Sequence, residues 1–155
     1  MIRWYGLLLI SILMLSACGA PVPAGPRVRI ENAWVSPSLA STPGMTGGET
    51  TSAGYFTIVI VGGASDTLLS ASSEAAVLVR MHETRIVNNI ASMAPLSQLE
   101  IPAQSRVEFK PGARHLMLMG ILYDLKPGIQ VPLMLRFAKS GTVSLMAPVQ
   151  PEPAQ

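Results

Sequence analysis

Short apolar runs, some continuous and some partly alternating with polar residues, recur along the chain and read as strands, in which every second side chain shares a face. From Arg114 to Gly120 the run RHLMLMG sets His115, Met117 and Met119 on one face and Leu116 and Leu118 on the other. Gly54–Gly62, GYFTIVIVG, is almost continuously β-branched and aromatic and predicts a central strand. Val28, Ile30 and Val35 predict the first strand, with Trp34 as a core anchor rather than the wall of a ligand site. Thr67–Ser70 and Ala76–Arg80 continue the sheet, and Glu74-Ala75-Ala76 could form one helical turn instead. Asn88-Asn89 separates two partly alternating runs, and paired Asn suits a two-residue hairpin turn. That turn sets Val87 opposite Ile90, Thr84 opposite Met93 and His82 opposite Pro95. Val107–Phe109 and Leu116–Leu118 flank the turn Lys110-Pro111-Gly112. Val131–Phe137 and Thr142–Met146 close the fold around Ser140-Gly141, with Pro132 at a strand start or edge. Ser36–Ser52 reads as a loop, and Pro148–Gln155 as a disordered tail.

Composition narrows the class. The chain has 155 residues, enough for one domain with a real core. Only 13% of residues are charged, while Gly and Pro number 13 each, which fits short strands and many turns. The formal net charge is +2, so electrostatics make no case for nucleic acid. Residues 1–17 read as a signal peptide, with Arg3 ahead of the apolar run Leu7–Leu15, which is too short to span a bilayer. Leu15-Ser16-Ala17-Cys18 resembles a bacterial lipobox, which makes Cys18 the lipid-bearing first residue of the mature chain. Residues 18–26 then form a Pro/Gly tether to the membrane, and 27–147 the folded domain. Cys18 is the sole cysteine, so no disulfide is available.

The chemistry is concentrated between residues 82 and 117. Both histidines of the chain are there, His82 and His115. Met93 follows His82 after ten residues, His115 follows Met93 after twenty-one, and Met117 comes two positions later. Two imidazoles and two thioethers form a donor set suited to Cu(I). The hairpin register puts His82 and Met93 on one face as diagonal neighbours, roughly 7–8 Å apart. His115 and Met117 share a face of their own strand, and Met119 lies farther along it. Met45, in the polar loop, is a possible transfer ligand, though an ordinary loop methionine is the plainer reading. Met81 falls on the face opposite His82, and Met134 and Met146 read as structural.

The spacing His-x10-Met-x21-His-x-Met resembles that of the periplasmic copper chaperones of the PCu(A)C family. The flanking segments AWVSP, HETRIV, LEIPAQSRVEFKPGARHLMLMG and LKPGIQVPLMLRF are similar too, so the likeness covers about Val28 to Ala147. The resemblance implies an all-β, cupredoxin-like, Greek-key β-sandwich in a single domain. It implies His82, Met93, His115 and Met117 as ligands of one Cu(I); Met119 and Met45 are possible auxiliaries from their positions alone. It further implies a non-enzymatic, monomeric carrier outside the cytoplasm. Its partners would be the copper-site subunit of cytochrome c oxidase or a thioredoxin-like copper-assembly protein. General copper trafficking or tolerance, and a metal-free interaction domain of a surface lipoprotein, are the alternatives. An electron-transfer cupredoxin needs a thiolate that the domain lacks, and no nucleophile–base pair suggests an enzyme.

Overall fold

The computed structural model describes residues 25–38, 50–87 and 90–152. Among them every regular element is a strand: β1 (Arg27–Val35), β2 (Thr51–Val61), β3 (Asp66–Ser72), β4 (Ala76–Val87), β5 (Ile90–Leu96), β6 (Leu99–Ile101), β7 (Arg106–Phe109), β8 (Arg114–Ile121), β9 (Gln130–Phe137) and β10 (Gly141–Pro148). One sheet runs β1-β2-β8-β4-β5, and β7 pairs with β2 beyond the reach of β8. The other runs β10-β9-β3-β6, and all the pairings are antiparallel.

The inward faces explain the sandwich. Phe56, Ile58 and Ile60 of β2, Val79 and Met81 of β4, and Leu116 and Leu118 of β8 are buried against Leu68, Val131, Leu133, Leu135 and Phe137 of the second sheet. Burying a side chain such as Leu116 or Leu118 stabilises by about 1.5–3 kcal/mol. Period-two alternation then forces His115, Met117 and Met119 onto the outer face.

Several expectations from the sequence hold. The hairpin has the register that two intervening residues demand, with Val87 opposite Ile90, Thr84 opposite Met93 and His82 opposite Pro95. Asn88 and Asn89 themselves lie outside the described residues. Pro132 stands opposite Met146 near the start of β9, before the stretch that β3 pairs. Others are corrected. Glu74-Ala75 is a plain turn into β4, not a helical turn, and Ala75 is fully buried. The segment Thr67–Ser70 does not extend the sheet of β4, because β3 belongs to the opposite sheet.

The expected disorder from Pro148 onward is also wrong at its start. Val149 is buried, bridges Val35 in parallel, and donates its N–H to the Ile129 carbonyl at 2.7 Å. Gln150 donates to the Val35 carbonyl at 3.1 Å, so the folded unit runs past residue 147. Trp34 is buried, but it is not part of the continuous core. It lies against Tyr55 on the outer side of the large sheet, with ring centroids 4.4 Å apart. The reason is an irregularity between Glu31 and Trp34, where Asn32 takes a positive φ of 51° and shifts the register of β1.

The candidate metal centre

β8 lies between β2 and β4, and this placement assembles the site. His115 stands directly opposite His82 in the β4–β8 ladder, and Thr84 opposite Met93 in the β4–β5 ladder. Met117 stands opposite Ala53 on one side and Arg80 on the other. The candidate ligands His82, Met93, His115 and Met117 thus come from three adjacent strands and share the outer face. The two imidazole centroids are 5.8 Å apart with the rings nearly perpendicular. With a metal–nitrogen bond of about 2.0 Å, two imidazoles sharing one ion have centroids up to roughly 6.4 Å apart. The observed pair falls within that limit.

The turn before β8 fixes His115. Gly112 has a φ of +71°, Ala113 donates to the Lys110 carbonyl, and Lys110 donates to the Arg114 carbonyl at 2.7 Å. The Ala113 carbonyl then accepts twice, from the Thr84 amide at 3.1 Å and from the His115 ring at Nδ1, also at 3.1 Å. A carbonyl can only accept, so His115 Nδ1 carries the proton and its Nε2 keeps a free lone pair. A second-atom hydrogen bond of this kind orients a ligating histidine. His115 is only 8% exposed.

His82 is held differently. Its Nδ1 is buried with no hydrogen-bond partner, an unmet polar atom that a bound cation would satisfy. Burial, the His115 ring and the Arg80 guanidinium together depress its pKa below the usual imidazole value, which keeps the ring neutral and able to ligate. On the opposite face one residue on, Glu83 bridges Arg114 at 3.0 Å and Arg85 at 2.9 Å, and Glu83–Arg114 is itself a ladder pair. That ion pair fastens the end of the β4–β8 ladder beside the two histidines. The sequence alone did not single it out.

A hollow of about 430 Å³ adjoins the site. Thr51, Ala53 and Tyr55 of β2 line it on one side and Thr84 and Met93 on the other, with His115 and Met117 of β8 between them. Trp34 backs Tyr55, so the aromatic that the sequence assigned to the core supports the wall of this hollow. Burial and then the Glu152 carboxylate raise the Tyr55 pKa, leaving a neutral phenol there. Met119 stands opposite Thr51 and Leu78, one step farther along β8, and does not line the hollow. Met45 and Cys18 lie outside the described residues.

Met117→Leu and Met119→Leu are near volume-conserving changes. The first should weaken Cu(I) binding by about tenfold or more, and the second by less than about twofold. Paired Cu(I) competition titrations with thermal melts of the metal-free variants measure both; equal losses would mean the two sulfurs are interchangeable.

A two-sheet, all-β sandwich with a His/Met face defines a PCuAC-type domain of cupredoxin-like fold. The structure titled copper-bound PCuAC domain from PmoF2 has a TM-score of 0.61 at 25% identity, covering 80% of this chain and 92% of that one. The solution structure of CuI-DR1885 from Deinococcus radiodurans has the same fold, with a TM-score of 0.56, 24% identity and 78% of each chain covered. Residues 28–149 match the model of the family described as "Putative lipoprotein LpqE-like", and the chain belongs to this LpqE-like family. "Putative lipoprotein Lxx21020" of Leifsonia xyli subsp. xyli (strain CTCB07) is 31% identical over 150 residues, 90% of this chain and 84% of that protein.

Proposed function

We propose that this chain is a lipid-anchored, extracytoplasmic Cu(I) chaperone that holds one ion with His82, Met93, His115 and Met117. The observation that carries this reading is the pairing of His82 and His115 across β4 and β8, with two thioethers on the same face. Thioethers stay neutral and form no disulfides, so this donor set suits Cu(I) in an oxidising compartment. The absence of a thiolate favours a carrier that can give its ion up. The copper-bound domain from PmoF2, at 25% identity, supports the same cargo. The acceptor we favour is the copper-site subunit of cytochrome c oxidase, reached directly or through a thioredoxin-like assembly protein. Copper transfer from the loaded protein to each purified acceptor domain tests that choice against general copper trafficking.

The central test is a Cu(I) competition titration as a function of pH. Only neutral imidazole ligates, so protons compete with copper as pH falls. The His82 pKa is lowered, so its ring stays neutral below the reference value of about 6.5 and binding should persist into mildly acidic solution. Below that range affinity should fall by up to about tenfold per pH unit for each imidazole that takes a proton. Affinity that stayed flat down to about pH 4 would exclude histidine ligation.

The anchor rests on the leader and LSAC, and membership of a lipoprotein family agrees with it. Cys18→Ser should release the protein from membranes or stall processing. Unchanged membrane attachment with unchanged mass would remove Cys18 from the scheme.

A further inference from the structure

The four candidate ligands are unequally placed for exchange. His115 is buried at 8% exposure, and the His82 Nδ1 is covered. Met117 is half-buried on β8, a strand hydrogen-bonded on both sides. Met93 is 65% exposed, on a strand whose only described ladder partner is β4. Edge strands and exposed side chains yield at the least cost in local structure. Met93 also lines the rim of the hollow that reaches His115 and Met117. That hollow, about 430 Å³, is many times the roughly 30 Å³ of one water molecule. A single ion leaves most of it free.

Taking the chain as a Cu(I) carrier, as proposed above, we infer that copper leaves by associative exchange through this hollow. The acceptor's soft donor atom enters between the Thr51–Tyr55 wall and Met93, Met93 is displaced first, and the β8 ligands His115 and Met117 release last. The incoming lone pair forms a bond to copper as the bond to the Met93 sulfur breaks. Copper remains Cu(I), and the thioether departs neutral, so the step moves no electron and no proton within the protein. A thiol donor gives its proton to water before it binds. The hydroxyls of Ser36, Thr51, Thr84 and Tyr55 line the approach and can solvate a polar or anionic donor.

Stopped-flow transfer from the Cu(I)-loaded protein to bicinchoninate, which colours on taking Cu(I), tests this. The transfer rate should rise linearly with bicinchoninate concentration. Thr51→Tyr and Thr51→Phe fill the hollow from the β2 wall, opposite Met119 and away from the four ligands, and each should slow transfer by about fivefold or more while leaving the dissociation constant within about twofold. Val61→Tyr, on the same strand but outside the hollow, should change neither. Met93→Leu should speed transfer more, for each factor of affinity lost, than Met117→Leu. A rate independent of bicinchoninate, or hollow-filling variants as fast as the parent, would overturn the route. Faster release from Met117→Leu than from Met93→Leu at equal loss of affinity would overturn the order. A protein that retained no Cu(I) before mixing would instead overturn the carrier function itself, and the exchange route with it.

Discussion

His115→Gln is expected to weaken Cu(I) binding by at least about 100-fold, equivalent to about 2.7 kcal/mol. No other candidate ligand is so fully prepared. The ring is enclosed, and with its Nδ1 committed to the Ala113 carbonyl the Nε2 lone pair is left free for binding. Glutamine keeps a polar head of similar reach but offers a hard amide to a soft ion. The metal-free variant should lose no more than about 1–2 kcal/mol of stability, because one hydrogen bond and part of one side chain are at stake. A competition titration beside a thermal melt separates the two effects. Affinity within threefold of the parent, on the order of 0.6 kcal/mol, would take His115 out of the ligand set.

Among the described residues, Asp66→Ala should cause the largest loss of stability of any single polar substitution, roughly 3–4 kcal/mol. Asp66 is almost wholly buried, at 1% exposure. Its Oδ1 accepts from the amides of Thr67 at 2.7 Å and Lys139 at 2.9 Å, and its Oδ2 accepts from the amide of Ser140 at 2.8 Å. The carboxylate thereby ties the start of β3 to the turn between β9 and β10. Alanine leaves three backbone donors without that partner. Burial pushes the Asp66 carboxyl up, but the hydroxyl of Ser140 and the amides of Lys139, Thr67 and Ser140 outweigh it, and the net pKa lies below the ordinary value. A lowered carboxyl pKa contributes stability above the unfolded value of about 3.9 and loses it as pH falls through the folded value. The parent should therefore weaken on acidification below about pH 4, and Asp66→Ala should weaken less steeply over the same window. Denaturant melts of both proteins across that window check the sign; parallel curves would mean the carboxylate carries no linked stability.

What could be read from the sequence was local. The β4–β5 register follows from a two-residue turn, so the opposition of Thr84 to Met93 was accessible without coordinates. Leu116 and Leu118 could be set on one face, and His115 and Met117 on the other, because alternation within one strand needs no partner. The direct facing of His82 and His115 was not accessible, because it depends on which strand lies beside β4. Asp66 was missed for the same reason, since two of its three amide donors are more than seventy residues away. Trp34 went to the wrong side because the positive φ of Asn32 breaks the alternation that a sequence reading assumes. Val149 was lost in a stretch rich in proline, where composition argued against order while one parallel bridge to Val35 and a place in the core provide it.

The central position of β8 has a consequence for the life of the molecule. His82 and Met93 meet within one hairpin, but His115 and Met117 join them only when β8 inserts between β2 and β4. On the proposed ligand assignment, a chain emerging in linear order holds just half of the candidate ligands until most of its length is available, so copper capture would report a completed fold. Metal and fold then reinforce each other: at a free ion level of a thousand times the dissociation constant, the cargo adds about 4.1 kcal/mol to stability. On that reading the copper-loaded protein is the durable form, and the metal-free protein is the form a protease finds open more often.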